Sequence, residues 1–301
     1  MKKNTIINII MSCFNGEKFI DKSVKSILKQ TYKNWELIFW DNNSNDDSKK
    51  KILSFNDKRI KYYKSDHTTN LGISRSNAIL KANGDLIAFL DVDDFWFKKK
   101  LQYAVEAFQN NDDLGVFFSN YVIYFGNKKF KKKISSFVNQ PNNLNKILES
   151  YVKNTQLVAF LTVVIDKKIL DSEPYYFDSN LHIAADFDLL IRLSEKYKFF
   201  LYKKPLGIYR RHEENETKNS LEQQTNEQLL CYGKFIKNYS VNQITLSKMK
   251  EDIDYNFAKL DIYKKNYKLF FGKLMMIRSF KLKIKLFILF IFNIINNKNI
   301  I

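Results

Sequence analysis

The first hundred residues switch repeatedly between two hydrophobic periods, and a chain that does this has few ways to fold. Thr5 to Ser12 is a β-branched apolar run, whereas Glu17 to Gln30 places Ile20, Val24, Ile27 and Leu28 on one helical face. Trp35 to Trp40 reads as a second strand, Ile60 to Tyr63 as a short third, Leu71 to Ala82 as a helix and Asp85 to Leu90 as a fourth strand. This spacing predicts βαβ units and a mostly parallel, Rossmann-like α/β sheet. Ligands of such sheets sit beyond the carboxyl ends of the strands, so the residues just after each strand are the ones to inspect.

Those residues are polar: Ser12-Cys13-Phe14-Asn15-Gly16 after the first strand, Asp41-Asn42-Asn43-Ser44 after the second and Asp91-Val92-Asp93-Asp94 after the fourth. No strand is followed by a glycine-rich dinucleotide fingerprint or a P-loop, so a bound nucleotide is not held by a glycine cradle. The acidic run is the strongest signal. Extended geometry sends alternate side chains to one side, which projects Asp91 and Asp93 together. Two close carboxylates repel unless a cation stands beside them, and oxygen donors without thiolate favour Mg²⁺ or Mn²⁺. Without its surroundings the same run is a solvated turn capping a helix that begins near Phe97.

After Lys100 the pattern loosens. Strands are expected over Leu114–Phe125, Ala159–Ile165 and Phe199–Tyr209, helices over Leu144–Tyr151 and Phe187–Lys196, and a proline-free helical stretch over Ser220–Tyr267. With 45% hydrophobic residues in 301, the chain buries a large core and is not a disordered tail protein. Cys13 and Cys231 have no C-x-x-C spacing, which suits a reducing compartment. Lys2 and Lys3 before Ile6 to Met11 mimic a leader peptide, but Asn8 and Asn15 interrupt the run and no small-residue cleavage site follows. The expectation is a buried first strand in a cytoplasmic protein.

As an ordered set, several segments resemble the inverting family 2 glycosyltransferases. They are Ser12 to Gly16, Ser26 to Thr31, Trp35-Glu36-Leu37-Ile38 leading to Asp41, and Asn70-Leu71-Gly72 with Arg75 and Asn77. Gly84-Asp85 running into Phe89 to Asp94, Ala185 to Asp188 with Arg192, and Tyr209 to His212 complete the set, which spans about residues 5 to 215. The resemblance implies a GT-A type mixed sheet flanked by helices over 1–215, with a nucleotide-sugar half (about 1–115), an acceptor half (about 116–215), and a helical region over 216–301. It implies that Asp41 contacts the base of a nucleotide, usually uracil, and that Ser12, Phe14 and Asn15 line its pocket. Arg75 would steady the base or the diphosphate, Asp91 would approach the ribose, and Asp93 would hold Mn²⁺ or Mg²⁺. His212 would be a further metal or diphosphate contact, and Asp186 the general base. Trp96 is a candidate to stack on a sugar ring, or else a core residue.

The implied reaction is metal-dependent, inverting transfer of a sugar from a nucleotide-diphosphate donor, a UDP-sugar by preference, to a hydroxyl. The acceptor would be a glycan or a lipid-linked precursor in cell-surface polysaccharide synthesis. Two positions depart from the family's pattern: Ala185 stands where Glu usually precedes the base, and Asn42 follows Asp41 in place of a second Asp. Asp188 is an alternative base, and Asp186 could instead be only a helix cap.

Half of the net charge of +18 lies in the last 38 positions, where nine basic residues from Lys264 onward meet no acid. The apolar run Leu286 to Phe292 is too short for a spanning helix, which needs about 20 residues. As a helix, Phe280, Ile284, Phe287 and Ile291 share one face, while Arg278, Lys281 and Lys285 share another. Such a helix lies on the inner face of an anionic membrane, or packs on its own domain or on a second copy. The basic excess, including Lys128 to Lys133, also suits a nucleic-acid binder, but no recognition module accompanies it. A catalytically silent sugar-binding scaffold is the remaining alternative.

Overall fold

The computed structural model describes residues 4–125, 128–132, 158–213, 221–239 and 241–298. Contacts divide the chain into two compact units, Met1–Tyr151 with Thr155–Glu213, and Val152–Asn154 with Glu214–Ile301. The first unit is built on strands β1 (Ile7–Cys13), β2 (Trp35–Asp41), β3 (Ile60–Lys64), β4 (Leu86–Phe89), β5 (Phe95–Trp96), β6 (Leu114–Phe125), β7 (Lys128–Lys132), β8 (Val164–Asp166) and β9 (Lys198–Arg211). Their order is β3-β2-β1-β4-β8-β6-β9-β5, with β7 on β6. Strands β3, β2, β1 and β4 are parallel, whereas β8 lies antiparallel to both β4 and β6. The sheet is therefore mixed. Hydrophobic period reports that a strand is buried, as all seven residues of β1 are, but not which way its neighbour runs.

Among the described residues six helices accompany these strands: α1 (Glu17–Leu28), α2 (Ser48–Leu53), α3 (Leu71–Ile79), α4 (Lys100–Gln109), α5 (Lys167–Asp171) and α6 (Ala185–Lys196). The strand expected over Ala159–Ile165 is corrected. Its first part is a 3-10 turn over Phe160–Thr162, closed by the Thr162 N–H and hydroxyl donating to the Ala159 carbonyl. An apolar run that is buried throughout carries no period to distinguish the two. The helix expected over Leu144–Tyr151 lies outside the described residues.

Helix α4 opens on Lys100, which is fully buried with its Nζ 5.2 Å from the ring centroids of both Trp96 and Phe117. Among the described residues no group hydrogen-bonds this amine, and burial holds its pKa well below the usual lysine value. A base depressed in this way costs stability wherever the unfolded chain would be protonated. Lys100→Met is therefore expected to stabilise the fold by about 1–3 kcal/mol at neutral pH, read as a rise in the thermal midpoint. An unchanged or lower midpoint would show that the amine has a role beyond packing.

The second unit is helical: α7 (Leu221–Asn238), α8 (Gln243–Tyr263), α9 (Tyr267–Met276) and α10 (Phe280–Lys298). The single stretch expected over Ser220–Tyr267 is interrupted where Asn242 caps α8 by accepting from the Ile244 N–H. Ala258, Ile262, Phe270, Ile277 and Leu286 form a small core of their own. Among the described residues no helix is long and apolar enough to cross a membrane.

Candidate active site

The carboxyl ends of β1, β2 and β4 meet in one place because β1 pairs with both neighbours in parallel register, Cys13 opposite Asp41. Asn15 adopts a left-handed conformation (φ 51°), which asparagine tolerates better than most residues. Its N–H donates to Ser44 Oγ, and its Oδ1 accepts from the Asn45 N–H, each at 3.0 Å, so it ties the loop after β1 to the loop after β2. Gly16 is required beside it, since a Cβ there would stand 2.7 Å from Cys13 Sγ and 3.0 Å from a Val92 methyl. Ser12 is buried at the end of β1, and its Oγ has no hydrogen-bond partner among the described residues. Phe14, by contrast, stands exposed at the strand end.

Asp41 is buried, accepting from the Ser44 N–H and from the Tyr62 hydroxyl, both at 2.7 Å. Burial, reinforced by that bond to Asp41, pushes the Tyr62 phenol pKa upward. The departure at Asn42 has a structural reason. Its amide donates to the Thr69 carbonyl and accepts from the Thr69 N–H and hydroxyl, a pairing that an ionised Asp, which only accepts, cannot complete.

The acidic run is a turn and not a continuation of β4: the Asp94 N–H donates to the Asp91 carbonyl at 3.0 Å. The strand alternation expected to align Asp91 and Asp93 is thus replaced by turn geometry, and the three carboxylates take three different partners. Asp91 pairs with Arg75 Nη2 at 2.6 Å, and Asp93 with His212 Nε2 at 2.9 Å. The buried Asp94 accepts from the Arg210 N–H at 2.8 Å. The His212 ring lies against Phe19, with centroids 4.5 Å apart. Burial and then the Asp91 charge raise the Asp93 pKa, with His212 opposing them. Asp94 is raised well above the ordinary value, by burial first and then by Asp93 and Asp91.

Arg75, on α3, links this turn to Asp186. It is almost wholly buried, with its guanidinium 4.8 Å from the Phe160 ring and 6.0 Å from that of Phe177. Burial raises the Asp186 pKa, and Arg75 is the chief influence holding it down. Helix α6 starts at Ala185 with Ala184 as its cap, so Asp186 lies inside the first turn and is not the cap residue. It is partly buried, accepting from the Phe187 N–H at 2.7 Å.

Helices α3 and α6 are joined by Asn70-Leu71-Gly72. Asn70 caps α3 through the Ile73 N–H and donates to the Ser179 carbonyl at 2.7 Å. The Leu71 N–H donates to His182 Nδ1 at 3.0 Å. A Cβ on Gly72 would come within 3.2–3.3 Å of Phe177, Ala185 and Leu181, which shows how closely the two segments approach. Ala185 itself is fully buried at this contact, so the glutamate usual at that position has no room here. His182, Phe160 and Phe177 carry no motif, and the sequence reading passed over them.

Two expectations are corrected. Asp188, the alternative base, is 2% exposed and bonded to Arg192, which also pairs with the buried Glu173 at 2.6 Å. Committed to that interior network, it faces no substrate. Trp96 is 4% exposed and belongs to the core, its indole N–H donating to the Leu161 carbonyl at 2.7 Å, so it offers no ring face to a sugar.

The donor set fits a divalent cation of the Mg²⁺ or Mn²⁺ kind. Asp91 and Asp93 stand on one turn with His212 paired to Asp93, and burial, then the Asp91 charge, raises the Asp93 pKa. No three His, Cys, Asp or Glu groups form a ready cage among the described residues. That is the usual situation for Mg²⁺, which takes one or two carboxylates and completes its shell with water and substrate phosphates.

Comparison with known proteins bears on the family and the fold. The family model described as Glycosyl transferase family 2 matches residues 8–172, more than half of the chain. Asp186 and His212 lie beyond the matched residues. The Escherichia coli UDP-Glc:alpha-D-GlcNAc-diphosphoundecaprenol beta-1,3-glucosyltransferase WfgD is 36% identical over 172 residues, 57% of this chain and 64% of WfgD. The match thus spans less than two thirds of that relative's length. Among solved structures, S. aureus TarS 1-349 in complex with UDP-GlcNAc superposes with a TM-score of 0.69 at 16% identity, covering 89% of this chain and 79% of that one. Mannosyltransferase PcManGT from Pyrobaculum calidifontis, in complex with GDP-Man and Mn²⁺, gives 0.62 at 12% identity, covering 90% and 74%.

Proposed function

The chain belongs to glycosyl transferase family 2, and from that premise we propose that it transfers a sugar from a UDP-sugar to a hydroxyl of a lipid-linked glycan precursor, with inversion and with help from a divalent cation. The observation that carries this reading is the linked set Asp93–His212, Asp91–Arg75 and Asp186, gathered at the carboxyl edge of the parallel strands. Residues 1–115 bind the donor and 116–215 the acceptor. The relative WfgD, named for UDP-Glc and a diphosphoundecaprenol acceptor, supports the choice of donor nucleotide and acceptor class. The TarS complex with UDP-GlcNAc and the PcManGT complex with Mn²⁺ support nucleotide and metal.

In this reading Ser12 Oγ, buried and unpaired among the described residues, hydrogen-bonds the nucleoside, Phe14 covers the base, and Asp41 fixes the wall behind it. Arg75 orients Asp91 toward the ribose. Asp93 and His212 hold Mn²⁺ or Mg²⁺, which when bound neutralises the departing diphosphate. Asp186 removes the acceptor's hydroxyl proton as that oxygen attacks the anomeric carbon, the bond to the diphosphate breaks, and the configuration inverts. Because the acceptor is lipid-linked, transfer takes place at the inner face of the cell membrane.

Asp186 acts as the carboxylate, so activity falls as pH drops through its pKa, which burial raises above the ordinary aspartate value. Removing Arg75 deletes the positive charge that favours ionisation. Arg75→Met is expected to move that limb to still higher pH in a kcat profile, and a limb that stays or moves down contradicts the role given to the pair.

The reading is tested by screening nucleotide sugars with Mn²⁺ for protection against thermal unfolding, because a ligand that binds only the folded state raises the midpoint. One or more UDP-sugars are expected to raise it, and a hit then enters a transfer assay with a polyprenyl-diphosphate sugar. A panel in which no nucleotide sugar protects would overturn the proposal.

A further inference from the structure

Helix α10 has two apolar faces. Leu282, Leu286, Leu289 and Phe290 face inward and pack with Phe270 and Ile277 in the core of the helical unit. The face singled out in the sequence is the other one, and it is bare: Phe280 is 76% exposed, and Ile284, Phe287, Ile288, Ile291 and Phe292 are exposed as well. On α9, Leu269 and Met276 (70%) are exposed on one side and Phe271 and Met275 (78%) on the other. On the helical projection Lys283 bounds one edge of the bare strip of α10 and Lys285 the other, with Lys281 near that second edge between Ile288 and Phe292.

We propose that this strip is a docking face for an anionic lipid bilayer, with Phe280, Phe287 and Ile291 entering the acyl boundary and the flanking lysines reaching the headgroups. A lone apolar strip does not identify its occupant, but the charge around it does. Nine basic residues and no acid lie between Lys264 and Ile301; Lys264 and Lys273 pair with Glu222 and Asp261, but Lys281, Lys283 and Lys285 stand beside the strip itself, so a second copy of the same face is repelled while a negatively charged leaflet is attracted. Apolar burial and electrostatic attraction then act together, as in interfacial helices that lie in the membrane plane. Snorkelling lysines at the edges suit that geometry better than a protein interface, whose core excludes lysine. The inference rests on the reading of a lipid-linked acceptor and deepens it, because docking would hold the transfer unit where such an acceptor resides.

The test uses the full chain and sedimentation with vesicles of phosphatidylcholine alone or mixed with phosphatidylglycerol. Binding is expected only to the anionic vesicles and is expected to weaken with added salt. Phe280→Ser with Phe287→Ser should weaken it about tenfold or more, and Lys281→Ala with Lys285→Ala about 30-fold, both with thermal midpoints like that of the parent. Undiminished vesicle binding by the phenylalanine variant would overturn the proposal, as would a dimer in sedimentation velocity that this variant dissolves. Transfer to a water-soluble acceptor separates the two readings. Vesicle binding without any transfer overturns the enzymatic reading and leaves the docking face standing, whereas transfer by a protein that ignores anionic vesicles does the reverse.

Discussion

Asp186→Asn is expected to lower kcat by about 10²–10⁴, the usual contribution of a positioned general base, while leaving affinity for the nucleotide donor unchanged. The substitution keeps the shape of the side chain and an oxygen to accept the Phe187 N–H, so the first turn of α6 persists. It removes a carboxylate whose raised pKa records an unfavourable buried charge, so the thermal midpoint should hold or rise at neutral pH. A merely structural aspartate would give the opposite result, with a lower midpoint and normal turnover. Asp188→Asn supplies the contrast. It breaks a buried pair with Arg192 and is expected to destabilise the fold without a comparable loss of kcat in the protein that remains folded.

The second large effect is expected at Asp93. Asp93→Asn should reduce transfer by about 10²–10³ and should remove most of the difference between Mn²⁺ and chelator. The sign of the accompanying stability change follows from the raised pKa values of Asp93 and Asp94. A carboxyl group whose folded pKa is raised favours the folded state at low pH, and that contribution is lost as pH rises through the folded pKa. Metal-free parent protein should therefore lose stability over that window, and Mn²⁺ should restore it, giving a thermal shift that grows with pH. In Asp93→Asn both the loss and the Mn²⁺ response should shrink. A Mn²⁺ shift identical in parent and variant would remove Asp93 from the metal site.

Much of the candidate site was legible because its residues follow strands in fixed order. Ser12, Asp41 and Asp91 to Asp94 each stand where a parallel strand delivers its ligand-facing loop. What the sequence hid is long-range. His182 receives the Leu71 N–H across 111 positions, and Phe160 lies under Arg75 across 85. Neither contact leaves a periodic trace. Trp96 looked like a sugar platform because it adjoins the acidic run, yet the turn at Asp91–Asp94 redirects the chain into β5, where its neighbour strand β9 helps to bury it. Asn15 and Asn42 also join loops, the Asn15 Oδ1 by accepting from the Asn45 N–H and the Asn42 amide by pairing with Thr69. In α10 the period showed that an apolar face exists, but with apolar residues on nearly every side it did not reveal which face was already packed.

The central claim, that the Asp91–Asp94 turn with His212 receives the diphosphate of a nucleotide through a bound cation, is tested most directly by calorimetric titration of UDP into the full chain. At neutral pH the account predicts saturable binding in Mn²⁺ and affinity at least about tenfold weaker in chelator, with Asp93→Asn behaving in Mn²⁺ as the parent does without it. Equal affinity under all three conditions, or no binding under any, would contradict it.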